Sequence, residues 1–192
     1  MVIAPLLRYA RELLSIALSP GDVAVDATVG NGHDTLFLAE RVGPTGRVIG
    51  FDVQEMALER ARERLADAGV LERVELRQMS HALMSDGVPE DWRGRVKAVM
   101  FNLGYLPGGD RAVVTESAST LAALQAGLDL LAPGGVMTVM IYSGHQAGKA
   151  ESSAVLAWAE SLEQTKVHVL LHRFLNQKND PPVLLALEKR EF

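Results

Sequence analysis

Two carboxylates and a glycine loop carry the first chemical signal. Asp26 closes a short apolar run, Val23-Ala-Val-Asp-Ala-Thr28, and is followed by Val29-Gly-Asn-Gly-His33. Asp52 closes a second run, Arg47-Val-Ile-Gly-Phe-Asp52, twenty positions after Gly32. Gly30 and Gly32 let the backbone approach a ligand closely, and a helix start after them offers unpaired N–H groups. An acidic side chain at the end of the next strand accepts hydrogen bonds from vicinal ribose hydroxyls. The pair therefore predicts a nucleoside-bearing cofactor. The loop lacks the third glycine of the dinucleotide fingerprint, and Asp26 at its mouth would repel a pyrophosphate. A zwitterionic sulfonium cofactor, S-adenosylmethionine, fits this acidic mouth, with Asp26 accepting from its ammonium group directly or through water.

A third candidate lies at the end of another apolar run, Val96-Lys-Ala-Val-Met-Phe-Asn102, which opens into Leu-Gly-Tyr105-Leu-Pro-Gly-Gly-Asp110. An asparagine carbonyl can orient an amine. Tyr105, Asp110 and His145 are further candidates for packing on a base or moving a proton. Each has a structural alternative: Asn102 and Asp110 as turn or helix caps, Tyr105 as a core aromatic, His145 as a satisfied loop residue. Cysteine is absent, which excludes disulfides, thiolate metal sites and mechanisms through a cysteine adduct. Methyl transfer needs no metal, and none is expected.

These residues need strands to carry them. Apolar runs of strand type alternate with amphipathic stretches: a first helix through residue 18, then Asp34–Val42, Gln54–Ala68, Glu116–Leu131 and Ala147–Glu163. Strands are expected at Val74–Arg77 and Val136–Tyr142, after an Ala132-Pro-Gly-Gly135 turn. Val167–Leu171 and Val183–Glu188 are joined by a loop too short for a crossover helix, which predicts an antiparallel edge hairpin. Residues 80–95 have no clear period. The expectation is a single α/β domain over residues 1–192: a doubly wound, seven-stranded, mostly parallel sheet, Rossmann-like, with the N-terminal helix packed on it.

The 192 residues are 48% hydrophobic and 22% charged, the balance of a globular chain. No secretory signal layout or membrane-length apolar run is present, so a cytoplasmic protein is expected. The formal charge of -5 gives no bulk attraction to nucleic acid. Arg60, Arg62 and Arg64 interleave with Glu55, Glu59 and Glu63, which reads as a solvated helix face. Arg8, Arg111, Lys149, Arg173 and Lys178 are better placed for phosphate contact.

Asn102-Leu-Gly-Tyr105 resembles the Asn/Asp-Pro-Pro-aromatic motif of amino-methylating enzymes, with Gly104 at a proline position. Over nearly the whole chain there is a closer likeness. Asp26-Ala-Thr-Val-Gly-Asn-Gly-His-Asp-Thr35, Phe101-Asn-Leu-Gly-Tyr-Leu-Pro-Gly-Gly-Asp110, Gly144-His145 and Asn176-Gln-Lys-Asn-Asp-Pro-Pro182 together resemble the bacterial rRNA methylase family. Ser143 stands where that pattern has histidine, and Arg111 where lysine is common. The resemblance implies the seven-stranded S-adenosylmethionine-dependent methyltransferase fold. It also implies methylation of the amino group of 5-aminomethyl-uridine, often 2-thiolated, at the wobble position of tRNA. The cofactor set it implies is Asp26, Thr28, Gly30, Asn31, Gly32, Asp34, Thr35, Asp52, Val53, Gln54, Ser80, His81, Asn102 and Leu103. The substrate set is Tyr105, Gly108, Gly109, Arg111, Lys149, Asn176 and Asn179, with Asn102, Tyr105, Asp110 and His145 catalytic. The rivals are methylation of rRNA or of a small amine, and a non-catalytic S-adenosylmethionine-binding module. A homodimer would enlarge the surface available to grip tRNA.

Overall fold

The computed structural model describes residues 2–104, 117–143 and 146–191. Seven strands form one sheet among these residues: β1 (Val23–Asp26), β2 (Arg47–Asp52), β3 (Val74–Gln78), β4 (Val96–Leu103), β5 (Leu131–Ile141), β6 (Val167–His172) and β7 (Val183–Lys189). Their order is β3-β2-β1-β4-β5-β7-β6, with β7 antiparallel to both β5 and β6 and the remaining pairs parallel. The expected hairpin is present, and its second strand is the inner one.

The helices are α1 (Leu6–Ala17), α2 (His33–Val42), α3 (Glu55–Asp67), α4 (Ser117–Leu130) and α5 (Gln146–Ser161). They cover both faces of the sheet, because strands such as β4 are apolar at successive positions. Its Ala98 and Met100 join one buried cluster with Leu6, Ala10 and Leu14 of α1 and Leu38 of α2. Its Val99, Phe101 and Leu103 join the other, with Leu124 of α4 and Val155 of α5. A strand buried on both faces reads as a continuous apolar run, which is why periodicity found it. In α1 the buried residues Leu6, Ala10 and Leu14 fall four apart and form one stripe.

One expectation needs correcting. The Ala132-Pro-Gly-Gly135 segment is part of β5, where the pairing with β4 slips between Val96 and Ala98. A Cβ on Gly135 would stand 2.9 Å from the carbonyl oxygens of Ala132 and Val96, so glycine is what allows the strand to pass so close to β4. Residues 80–95 contain two single 3-10 turns, His81–Leu83 and Glu90–Trp92, too short to show a period, with Met84 and Val88 buried beside them.

Chain order runs outward from β1 to β3 on one side and from β4 to β5 on the other. The carboxyl ends of β1 and β4 therefore flank the crevice in which such sheets bind ligands. No helix among the described residues is long and apolar enough to cross a membrane.

Candidate active site

The loop after β1 is held from three directions. Asp52 at the end of β2 accepts from Gly30 N at 2.8 Å and from Gln54 N at 2.9 Å. From α3, Arg64 Nε donates to the Asn31 carbonyl at 2.8 Å and Arg60 Nη1 donates to the Asn31 side chain at 3.3 Å. From β4, Asn102 N donates to Thr28 Oγ1 at 2.7 Å. Arg60 and Arg64 thus act as loop anchors and not as a solvated face. Gly32 differs from its expected role too. At φ 76° a Cβ there would meet Cα of Ala61 at 2.7 Å and its Cβ at 2.8 Å, so this glycine lets α2 and α3 pack closely.

Direct contact between Asp26 and a ligand is not what the structure offers. Asp26 is 0% exposed, accepts from Thr35 Oγ1 at 2.6 Å and from Thr28 N at 3.1 Å, and so ties the loop to α2. Burial, reinforced by the neighbouring Asp34, pushes its carboxyl up to about 7 against the downward pull of the Thr35 and Thr28 hydrogen bonds. The folded state therefore holds a proton that the unfolded chain releases near 3.8. The stability this group contributes is full below that value and is lost as pH rises to about 7. Asp26→Asn, which keeps an acceptor for Thr28 N and cannot ionise, is expected to remove that slope. Its stability relative to the parent should grow by about 1.4 kcal/mol per pH unit between roughly pH 4 and 7 and then level off, as read by urea unfolding.

A cavity of about 420 Å³ opens at the crevice, lined by Leu7, Arg11, Thr28, Val29, Gly30, Asn31, His33, Asp34, Asn102, Leu103, Gly104 and Tyr142. Its polar centre is a chain of three side chains. Arg11 of α1 donates from Nε at 2.9 Å and from Nη2 to Asp34 Oδ1, and Asn102 Nδ2 donates to Asp34 Oδ2 at 2.9 Å. A carboxylate only accepts, so it fixes which end of the Asn102 amide it faces and leaves Oδ1 for a donor in the cavity. Arg11 also lies over the Phe37 ring, 5.5 Å from its centroid. Tyr142, just after β5, is partly exposed. Burial, followed by the charge of Asp34, raises its hydroxyl above the ordinary value, so it stays a neutral phenol.

Of the expected cofactor residues, Thr28, Gly30, Asn31, Asp34, Asn102 and Leu103 line this cavity. Asp26, Gly32, Thr35, Asp52, Val53, Gln54, Ser80 and His81 do not. Asp52 borders it through its bond to Gly30, beside the half-exposed Val53. Ser80 caps the short turn by accepting from Ala82 N at 3.3 Å. His81 packs edge-on against Phe101, with ring centroids 6.0 Å apart, and burial lowers its pKa. Lys149 pairs with Asp180 at 2.8 Å, joining α5 to the late loop, where Asn179 and Asp180 both have positive φ. Neither Lys149, Asn176 nor Asn179 lines the cavity. Tyr105, Gly108, Gly109, Asp110, Arg111 and His145 lie outside the described residues.

Arg11 and Tyr142 are absent from the set expected from sequence. Tyr142 follows a central strand, and the rule that ligands sit beyond strand carboxyl ends points to it. Arg11 gives no such signal, because its partner Asp34 is 23 positions away on another helix.

The family model described as "Putative rRNA methylase" matches residues 48–188. The chain belongs to the rRNA methylase family. A Clostridium thermocellum crystal structure under the same description is 40% identical to this family member, with a TM-score of 0.94 over 98% of this chain and 100% of that one. A Streptococcus mutans methyltransferase solved in complex with SAH is 36% identical, with a TM-score of 0.87 over 97% and 99% of the two chains. The chloroplastic tRNA (mnm(5)s(2)U34)-methyltransferase of Arabidopsis thaliana is 38% identical over 182 residues, 91% of this chain. The match spans 65% of that curated relative's length.

Proposed function

We propose that the protein is an S-adenosylmethionine-dependent N-methyltransferase. Its acceptor is the aminomethyl group of 5-aminomethyl-uridine, with or without 2-thiolation, at the wobble position of tRNA. The observation that carries this reading is the Asn102 amide, pinned by Asp34 at the mouth of a cavity whose other wall is the glycine loop. The named activity of the Arabidopsis thaliana relative supports the same acceptor.

The residues suit the cofactor. Each Asp52 oxygen accepts one backbone N–H and keeps a lone pair for a ribose hydroxyl. Gly30 and Asn31 border the cavity from the loop, and Asn102 Oδ1 remains an acceptor facing its interior. When bound, S-adenosylmethionine supplies an electrophilic methyl carbon on a sulfonium. Asn102 Oδ1 accepts an N–H of the amine and so directs the nitrogen lone pair, while Leu7, Val29 and Leu103 exclude water from the attack line. Transfer would form the nitrogen–carbon bond as the sulfur–carbon bond breaks, with S-adenosylhomocysteine as the leaving group and the product ammonium losing its proton to solvent.

Nucleoside mass spectrometry of total tRNA from cells with and without the gene tests the reading. Loss of 5-methylaminomethyl-uridine with a matching rise of 5-aminomethyl-uridine is expected, and unchanged wobble nucleosides would sink it. The net charge of -5 favours the rival small amine. A filter assay separates the two, because tRNA affinity resting on phosphate contacts falls steeply between about 50 and 200 mM salt by the counterion-release rule, roughly tenfold or more for a few contacts.

A further inference from the structure

Asp34 poses a problem for the proposed reaction. An alkylamine is nucleophilic only when neutral, and a carboxylate at the acceptor site would hold it as an ammonium ion. We infer that Arg11 is a charge-balancing positioning residue: by occupying Asp34 Oδ1 it leaves Asp34 to orient Asn102 without capturing the acceptor amine in its unreactive, protonated form. The inference rests on the proposed amine acceptor. It draws on three facts of geometry. Arg11 gives two donors to one Asp34 oxygen, and the other oxygen takes the Asn102 amide. All three residues line one cavity. The guanidinium is fixed from behind by Phe37 and by a 3.5 Å bond to the His33 carbonyl.

The titratable groups facing this point, among the described residues, are few. Arg11 comes from α1, His33 and Asp34 from α2, and Tyr142 follows β5. Asp26 of β1 lies behind the cavity wall, with Asp52 of β2 acting on it in turn. Tyr142 is neutral, and Asp26 is neutral until about pH 7. Asp26 therefore adds a second anion only above about pH 7, and deleting Arg11 removes the cation bonded to Asp34 and tips the amine toward the ammonium form.

The test is the pH dependence of kcat on an anticodon stem-loop carrying 5-aminomethyl-uridine, whose acidic limb reports the amine in the bound complex. Arg11→Met should move that limb to higher pH by about one unit, the usual effect of an unbalanced charge at this range. Asp34→Asn, whose carbonyl still accepts from Asn102, should move it to lower pH. The double variant should return close to the parent, and Arg11→Lys should leave the limb in place. Loss of rate in Arg11→Met with an unmoved limb would reduce Arg11 to a structural support and overturn the inference. Weakened binding of S-adenosylmethionine by calorimetry with an unmoved limb would overturn it too, by assigning Arg11 to the donor's carboxylate. Failure of the functional reading looks different: the parent protein itself would bind S-adenosylmethionine and leave the stem-loop unmethylated, and the inference would fall with it.

Discussion

Asn102→Ala is expected to lower kcat by about 100- to 1,000-fold, the usual result of removing one preorganised group that aligns a reacting atom. Affinity for S-adenosylmethionine should stay within a few-fold. The substitution keeps the main-chain bond from residue 102 to Thr28 Oγ1, so the crossing between the β1 and β4 loops survives. What disappears is the side-chain carbonyl and the donor that pins it to Asp34. Asn102→Asp should do no better than alanine. It would set two carboxylates across a 2.9 Å gap, where both cannot stay ionised; a shared proton would replace the amide N–H between them, and the negative charge left there would hold the acceptor amine as its unreactive ammonium ion. Single-turnover rates with calorimetric cofactor affinities check both. A rate within tenfold of the parent would show that alignment comes from elsewhere.

Gly32→Ala is the largest expected loss of stability. The added methyl would stand 2.7 Å from Cα of Ala61 and 2.8 Å from its Cβ, and a non-glycine residue at φ 76° carries its own strain. The left-handed conformation costs about 1–2 kcal/mol and forced overpacking about 1–3 kcal/mol. Together they take a large share of the roughly 5–15 kcal/mol that holds a domain folded. Ala61→Gly in the same chain should recover only part of the loss, since it removes the clash with the Ala61 methyl and leaves both the clash with the main chain of α3 and the backbone strain. Thermal or urea unfolding of the single and double variants measures this. Full rescue would place the whole cost in the side-chain clash.

The strands and most helices were legible because burial on both faces writes apolar runs, and burial on one face writes a stripe. Asp52, Gly30 and Asn102 could be found from their places at strand ends, where the fold puts its ligand. The rest of the site depends on pairs that sequence does not announce. Arg60 and Arg64 interleave with glutamates and read as surface, yet both reach Asn31 across about thirty positions. Gly32 looked like room for a ligand and proved to be room for Ala61. Asp26 is an acid at the right strand end, but Thr28 and Thr35 take both its oxygens. The Pro-Gly-Gly of β5 resembles a turn because local composition cannot show a neighbouring strand held close.

α1 has a consequence for how the chain reaches its native state. Its Leu6, Ala10 and Leu14 stripe is buried with Met140 of β5 and Leu184 of β7, so α1 is completed by a strand synthesised long after it. Until that strand emerges, the stripe can pack on Leu38 of α2, Ala98 and Met100 of β4 and Met140 of β5, but the side that meets Leu184 stays wet. Such long-range closure slows folding and leaves apolar surface exposed during synthesis. A nascent chain stalled before Val183 should accordingly show the sheet's first strands protected and α1 cut more readily than in the finished chain.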